Sequence, residues 1–160
     1  MLASLELVER TTKRESPERH TRLFSLLGDS VIGGAWSFGY REPLLIQASY
    51  EVLPNLLDAL GIACVRYLKA LVPQLVHTIA SPPELTIPVT SREAGMQCLI
   101  RVVEISGPRI SYWSGEIISG IAKTFVQLDD VDANLRRLGG ALLRALLDKC
   151  PETTKVYLFI

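Results

Sequence analysis

Histidine and cysteine, which most metal sites and nucleophilic centres require, are scarce in this chain. Its 160 residues include two histidines, His20 and His77, and three cysteines that stand 34 and 52 residues apart. No close cysteine pair is present and the total is odd, so the sequence predicts neither a disulfide framework nor a zinc knuckle. Because a glycine-rich phosphate loop is also missing, we expect no catalytic residues, no metal and no cofactor.

The chain also lacks an excess of charge of one sign and a long apolar run. Seventeen basic residues balance seventeen acidic ones, so no broad positive field would attract nucleic acid or an anionic membrane. The longest run without a charged residue, 70–83, has 14 residues and includes three prolines, which makes it too short and too broken to span a bilayer. We expect a protein of a reducing compartment that binds no nucleic acid directly and no membrane.

What the sequence does contain is an internal repeat of helical patterns. Sliding the chain by 44 positions lays "SREAGMQCLIRVVE" (91–104) on "LRRLGGALLRALLD" (135–148). A shift of 46 lays 71–80 of the segment "YLKALVPQLVHTIAS" (67–81) on 117–126 of the segment "SGEIISGIAKTFVQLDD" (114–130). Apolar residues in these segments recur every three or four positions, which is typical of amphipathic helices. The predicted repeating unit is therefore helix, loop, helix.

This period favours one architecture. Repeats of about 40 to 47 residues are typical of HEAT and armadillo proteins, in which each helical pair buries its apolar face against the next pair. A fainter third copy lies upstream, with 15–34 as its first helix and 41–61 as its second. We predict an all-α fold, a HEAT/armadillo-like α-solenoid of antiparallel helical pairs with about three repeats. An irregular six-helix bundle is the alternative.

The domain prediction follows from length and from helix-start signals. A chain of this length can bury enough surface for one core, so we predict a single HEAT-like domain over 16–150. A partly ordered segment, 1–15, precedes it, and a tail, 151–160, follows it with the β-prone end "KVYLFI". Helices are predicted to start at Ser16, which Pro17 follows, and at a Thr90 cap paired with a glutamate three residues later.

Three glycines stand inside predicted helices, at positions 95, 139 and 140. A glycine in a helix interior costs roughly 1 kcal/mol relative to alanine. The compensation that we expect is close approach of a neighbouring helix. Cys98 occupies the apolar stripe of its helix, where a thiol packs as a small buried group and its thiolate is disfavoured.

Surface recognition is what remains as a source of function. "AWSFGY" brings Trp36 and Phe38 together, and such aromatic residues are either buried under an adjacent repeat or anchors for a partner. Basic side chains at helical spacing could form a ridge, although a merely solvated face is the simpler interpretation. The candidate protein-binding residues are Arg66, Lys69, His77, Lys123, Trp36 and Phe38.

At "LPNLLDALGIACVRYLKALVPQLVHTI", followed by a proline-bearing loop and "SREAGMQCLIRVVE", the sequence resembles the second interacting subunit of the Triple T cochaperone complex, a HEAT-repeat family. The resemblance covers about residues 40 to 150, and the chain looks like a carboxyl-terminal portion of such a protein. It implies a noncatalytic, cytoplasmic and nuclear scaffold that binds the larger HEAT-repeat subunit. With that subunit it would help the ninety-kilodalton heat-shock chaperone mature kinases related to phosphatidylinositol 3-kinase.

Two other interpretations stay open at this point. The chain could be a fragment of another HEAT-repeat adaptor or transport receptor, which would bind a different protein by the same physics. Alternatively, it could be a helical domain for a small ligand, which requires a closed polar pocket around His77, Arg66 or Cys98.

Overall fold

The computed structural model describes residues 2–11, 16–37, 43–81, 87–127 and 133–158. Within these ranges the backbone is almost entirely helical and contains no strand, which confirms the all-α prediction. The α-helices are α1 (Leu2–Thr11), α2 (Pro17–Ser25), α3 (Pro43–Leu60), α4 (Leu68–Ile79), α5 (Val89–Ser106), α6 (Ser114–Gln127), α7 (Ala133–Lys149) and α8 (Pro151–Leu158). A π-helical segment, Leu26–Trp36, and two 3-10 segments, Gly61–Tyr67 and Gly107–Trp113, connect some of them.

The chain forms two compact units, Met1–Tyr67 and Leu68–Ile160. The predicted domain 16–150 includes parts of both. In the first unit, α2 runs directly into the π-helical segment, and both pack against α3. Its core is built from leucine and valine side chains with no exposed surface, which are Leu23, Leu27, Val31, Leu53 and Leu57.

The first unit shows why α2 starts where the sequence indicates. Ser16 lies just before the helix, and its Oγ accepts a hydrogen bond from the Arg19 backbone N–H at 3.1 Å. Pro17 takes the first helical position, where its missing N–H costs nothing. The predicted cap at Ser16 is therefore confirmed.

The helical run Leu44–Ile79 is long and apolar enough, by length and composition alone, to cross a membrane. Core helices of soluble proteins meet the same criterion, so this finding by itself identifies no membrane protein. Gly61 interrupts the run with a φ of 53°, a left-handed conformation that glycine adopts readily. Helix α3 continues through Pro54 without a break.

In the second unit, α4 packs against α5 and α6. A Cβ added to Gly120 of α6 would lie 2.8 Å from Val76 of α4, so these two residues are in close contact. One turn further along both helices, the Thr124 hydroxyl donates to the Ile79 carbonyl at 2.7 Å. Because contacts advance in the same direction along both helices, α4 and α6 run parallel.

The helices α5 and α7 also lie side by side and run parallel. Near their starts, Asn134 Nδ2 donates to Glu93 Oε1 at 2.8 Å. Near their ends, the hydrogen bond and charge of neighbouring Asp148 raise the pKa of Lys149, and the negative charge of Glu104 on α5 adds a smaller rise. The pairs α4/α5 and α6/α7 are thus placed next to each other, with α4 beside α6 and α5 beside α7.

A buried polar junction joins three of these helices. Arg92 of α5 is only 2% exposed, and its Nη1 donates to the Ile79 carbonyl at 2.9 Å. The Thr124 hydroxyl donates to the same carbonyl. Arg136, which the repeat aligns with Arg92, is exposed instead. The aligned arginines therefore have different roles, because only the first has a carbonyl oxygen to bind in the core.

Two predicted helix features are wrong in this unit. Helix α5 begins at Val89, directly after Pro88, so Thr90 lies inside the helix and makes no cap. The predicted β-prone end is helical as far as Leu158, within α8. Tertiary contact overrides its local preference, since the Tyr157 ring packs on α6 at Gly115, where an added Cβ would lie 2.6 Å from Tyr157 Cζ. Residues 159 and 160 lie outside the described part.

The helix-interior glycines divide into two kinds. A Cβ added to Gly95 would lie 3.2 Å from Ile79 Cγ2, and one added to Gly139 would lie 2.5 Å from Phe125 Cζ. Both positions confirm the predicted close approach of a neighbouring helix. At Gly140 nothing lies within 4 Å of the added atom, so the prediction is wrong there.

Candidate protein-binding site

A groove of about 410 Å³ lies between α4 and α6 in the second unit. Each helix contributes residues at intervals of three and four positions, which places them on one helical face. The lining residues are Pro73, Val76, His77, Ala80 and Ser81 from the α4 side, and Glu116, Ser119, Gly120 and Lys123 from α6.

The floor of the groove depends on a glycine. Because Gly120 carries no side chain, α6 can rest directly against Val76 of α4. Val76 is itself only 9% exposed, so most of its surface is already used in this contact. The end of α4 is fixed as well, because the buried Ser81 hydroxyl donates to the His77 carbonyl at 2.6 Å.

Charged side chains surround this apolar floor. His77 and Lys123, which the sequence repeat superimposes, both line the groove and are exposed. Glu116 is also exposed and lies seven residues before Lys123, which corresponds to about 10 Å along α6. Among the described residues, none of the three forms an ion pair. The groove therefore offers an ammonium group, an imidazole and a carboxylate, none of which forms an ion pair with a described side chain.

Two of the six predicted residues, His77 and Lys123, thus line one groove. The other two basic candidates, Arg66 and Lys69, do not line it. Arg66 belongs to the first unit, where its guanidinium carbon lies 4.7 Å from the centroid of the Phe24 ring. This is a cation–π arrangement on an exposed side chain. Lys69 is exposed on α4 and does not line the groove.

The aromatic candidates have different outcomes. Trp36 is buried, its Nε1 donates to Ser49 Oγ at 2.9 Å, and its ring meets Tyr50 edge-on with 6.0 Å between centroids. Of the two alternatives for Trp36, the structure favours burial within the chain. Phe38 lies outside the described residues. Tyr112, by contrast, is 83% exposed.

Sequence reasoning did not single out Glu116 or Gly120, although both determine the character of the groove. Glu116 sits three residues before Ser119 and seven before Lys123, so helical periodicity alone would have placed it on the same face. Gly120 carried no comparable signal. Its role depends on which helix packs against α6, and that is decided only in three dimensions.

The described residues show no arrangement for metal or thiol chemistry. No group of three or more histidine, cysteine, aspartate or glutamate side chains in the described ranges could hold a metal ion. Cys64, Cys98 and Cys150 are buried and form no disulfide with a described residue. Burial raises the pKa of Cys98 to about 12 and that of Cys64 to about 11, so both remain protonated and unreactive near neutral pH.

The raised pKa of Cys98 predicts a pH effect on stability. An unfolded thiol ionises near its ordinary value of 9.0, whereas the folded thiol keeps its proton up to about 12. Above pH 9 unfolding therefore releases a proton, and stability should fall as pH rises, by at most about 1.4 kcal/mol per pH unit from this group. The measurement compares urea unfolding of the wild type and Cys98→Ala between pH 8 and 11. A difference between the two that stays constant over this range contradicts the burial of this thiol.

Adjacent helical pairs with an open groove that carries charged side chains define an all-α protein. A comparison with known protein families identifies the family to which it belongs. The model of the Tti2 family matches residues 1–86, just over half of the chain. The chain therefore belongs to the Tti2 family and is a component of the Triple T complex. No curated protein and no solved structure matches it.

The matched region includes the whole first unit and α4, whereas α6 lies beyond it. The helix that carries His77 is thus part of the family region. The facing helix with Lys123 is not, so the groove combines a family helix with a helix outside the match.

Proposed function

We propose that this chain is a noncatalytic scaffold subunit that binds the larger HEAT-repeat subunit of the Triple T complex. Through the complex it would help to mature and stabilise kinases related to phosphatidylinositol 3-kinase in the cytoplasm and nucleus. Family membership supports the choice of complex. The observation that carries a binding role for this chain is the groove between α4 and α6, with its uncompensated charges.

We further propose that the second unit is a short HEAT-like array. Its support is the parallel placement of α4 with α6 and of α5 with α7, which stacked helical repeats require. In such an array, equivalent helices of successive repeats line one continuous surface. The His77 and Lys123 pair then follows from the repeat itself, because the two residues occupy equivalent positions of neighbouring units.

Recognition in the groove would use shape and charge together. A partner segment laid against the groove would cover Pro73, Val76 and Ala80 and bring its own carboxylate to His77 and Lys123. A basic side chain of the same segment would meet Glu116 about two helical turns away. Charges of opposite sign at the two ends fix the direction of the segment, which favours specificity more than raw affinity.

The proposal is tested by reversing the cationic end of the groove. We expect the double variant His77→Glu/Lys123→Glu to bind the purified larger subunit at least ten-fold more weakly in calorimetry, because like charges would then face the partner carboxylate. Lys155→Glu is the matched control, since Lys155 is an exposed cation on α8 that does not line the groove.

Both variants should keep the wild-type circular dichroism spectrum, because all three side chains are exposed. If the double variant binds as well as the wild type, the groove is not the contact surface. If the wild type itself fails to bind the larger subunit, the proposed partner is wrong.

A further inference from the structure

Helix α7 has a second face that no other described element covers. Its apolar stripe, with Leu135, Leu138, Leu142 and Leu146, is buried in the second unit, largely against α5. The opposite stripe is exposed along the whole helix, and we call it the α7 face. It consists of Ala133, Arg136, Arg137, Gly140, Ala141, Arg144, Leu147 and Asp148.

The charges on the α7 face are predominantly positive and only partly compensated. Arg137 is held by Asn134 Oδ1 at 2.8 Å, and Asp148 pairs with Lys149 at 2.8 Å. Arg136 and Arg144 make no ion pair with any described residue. They are eight positions apart, so their Cα atoms are separated by about 12 Å along the helix axis.

Gly140 lies midway between these two arginines and has no partner that explains it. Its neighbour Gly139 is required by the ring of Phe125, but nothing lies within 4 Å of a Cβ added at Gly140. The fold therefore does not need a glycine there, although glycine weakens a helix interior. Because Gly140 has no side chain, it leaves a depression in the surface of α7. The backbone of another helix can approach α7 closely there, between the two guanidinium groups.

We propose that the α7 face docks an acidic amphipathic helix of another protein. Two carboxylates of that helix, about two turns apart, would pair with Arg136 and Arg144, since guanidinium groups bind carboxylates in a bidentate manner. A small residue between them would pack at Gly140, with an apolar one next to Leu147, which is 37% exposed.

A protein helix fits this face better than nucleic acid does. Asp148 stands at one end of the same stripe, the chain has zero formal net charge, and its basic residues form no field broad enough for a phosphate backbone. The α7 face is also separate from the groove, since none of its residues lines that cavity. The two proposals can therefore fail independently.

The first experiment uses a labelled alanine-rich helical peptide with two glutamates eight positions apart and a leucine beyond them. Its control peptide has glutamine in place of both glutamates, and a labelled random DNA duplex is the third probe. Fluorescence anisotropy on the full chain should show saturable binding of the glutamate peptide, at least ten-fold tighter than the glutamine peptide and the duplex. Equal affinity for the two peptides, tighter binding of the duplex, or no binding of the glutamate peptide overturns the proposal.

The second experiment identifies the face. Arg136→Glu/Arg144→Glu should weaken binding of the glutamate peptide at least ten-fold, and a peptide with lysines at the two positions should bind this variant better than it binds the wild type. His77→Glu/Lys123→Glu should bind the glutamate peptide as the wild type does. Gly140→Leu should also weaken binding while leaving the melting temperature unchanged or higher, because Gly140 is exposed and nothing lies within 4 Å of a Cβ added there. Unaltered binding by the arginine variant, or by Gly140→Leu, excludes the α7 face as the site.

Discussion

Replacing Trp36 with alanine should destabilise the first unit by about 3 to 5 kcal/mol, the usual cost of removing a large aromatic side chain from a core. Trp36 is 8% exposed and lies at the end of the π-helical segment, where its ring packs against Tyr50. The substitution also removes the N–H that donates to Ser49 Oγ, a hydroxyl with no exposed surface. The loss of buried apolar surface and the loss of a buried hydrogen bond both lower the free energy of unfolding.

The measurement is urea unfolding followed by circular dichroism, with Tyr112→Ala as the control. Tyr112 is 83% exposed, so its truncation should change the free energy of unfolding by no more than about 0.5 kcal/mol. If Trp36→Ala keeps wild-type stability but loses affinity for the larger subunit, Trp36 is a binding anchor and not a core residue. That result would support the alternative interpretation of Trp36 as an anchor for a partner, which its burial disfavours.

Removing both donors to the Ile79 carbonyl should cost more than the sum of the two single changes. Arg92 and Thr124 bind this oxygen at 2.9 and 2.7 Å from two different helices. In either single variant, Arg92→Met or Thr124→Val, one donor remains, so we expect a loss of about 1 to 2 kcal/mol. In the double variant a buried carbonyl has no donor from either side chain, which adds about 1 to 3 kcal/mol.

A double-mutant cycle in urea measures this coupling. The matched control cycle pairs Arg92→Met with Thr154→Val, because Thr154 is equally buried but donates to Leu146 and not to Ile79. We expect additive effects within about 0.5 kcal/mol in the control. Additivity in the Arg92 and Thr124 cycle as well would mean that the shared carbonyl does not link the three helices.

Much of the second unit could be predicted from local pattern. The segments aligned by a shift of 46 residues coincide with α4 and α6, and those aligned by a shift of 44 coincide with α5 and α7. This was predictable because the spacing of apolar residues is a property of the local sequence. The same alignment placed His77 and Lys123 at equivalent positions, and the structure brings both to one groove. One wrong prediction was local, the cap at Thr90, whereas others failed because the outcome depends on a distant neighbour, as at Gly140.

The contrast between Arg92 and Arg136 shows why. Their sequence surroundings are similar, yet one is buried on a carbonyl of α4 and the other faces outward on α7. Likewise, adjacent Gly139 and Gly140 share the same local context, but only the first meets a ring from α6. The spacing of residues in the sequence does not distinguish the two arginines or the two glycines, because the difference lies in which residue of a neighbouring helix each one contacts.

By itself, the sequence determined that this protein is helical and where several of its helices lie. Those properties follow from the spacing of apolar residues, which is local. Only the tertiary structure decided that Trp36 is core, that α6 rests against Val76 at Gly120, and that Arg136 and Arg144 form no ion pair with a described residue. Burial and charge compensation depend on contacts between residues far apart in the chain, which the order of residues alone does not specify.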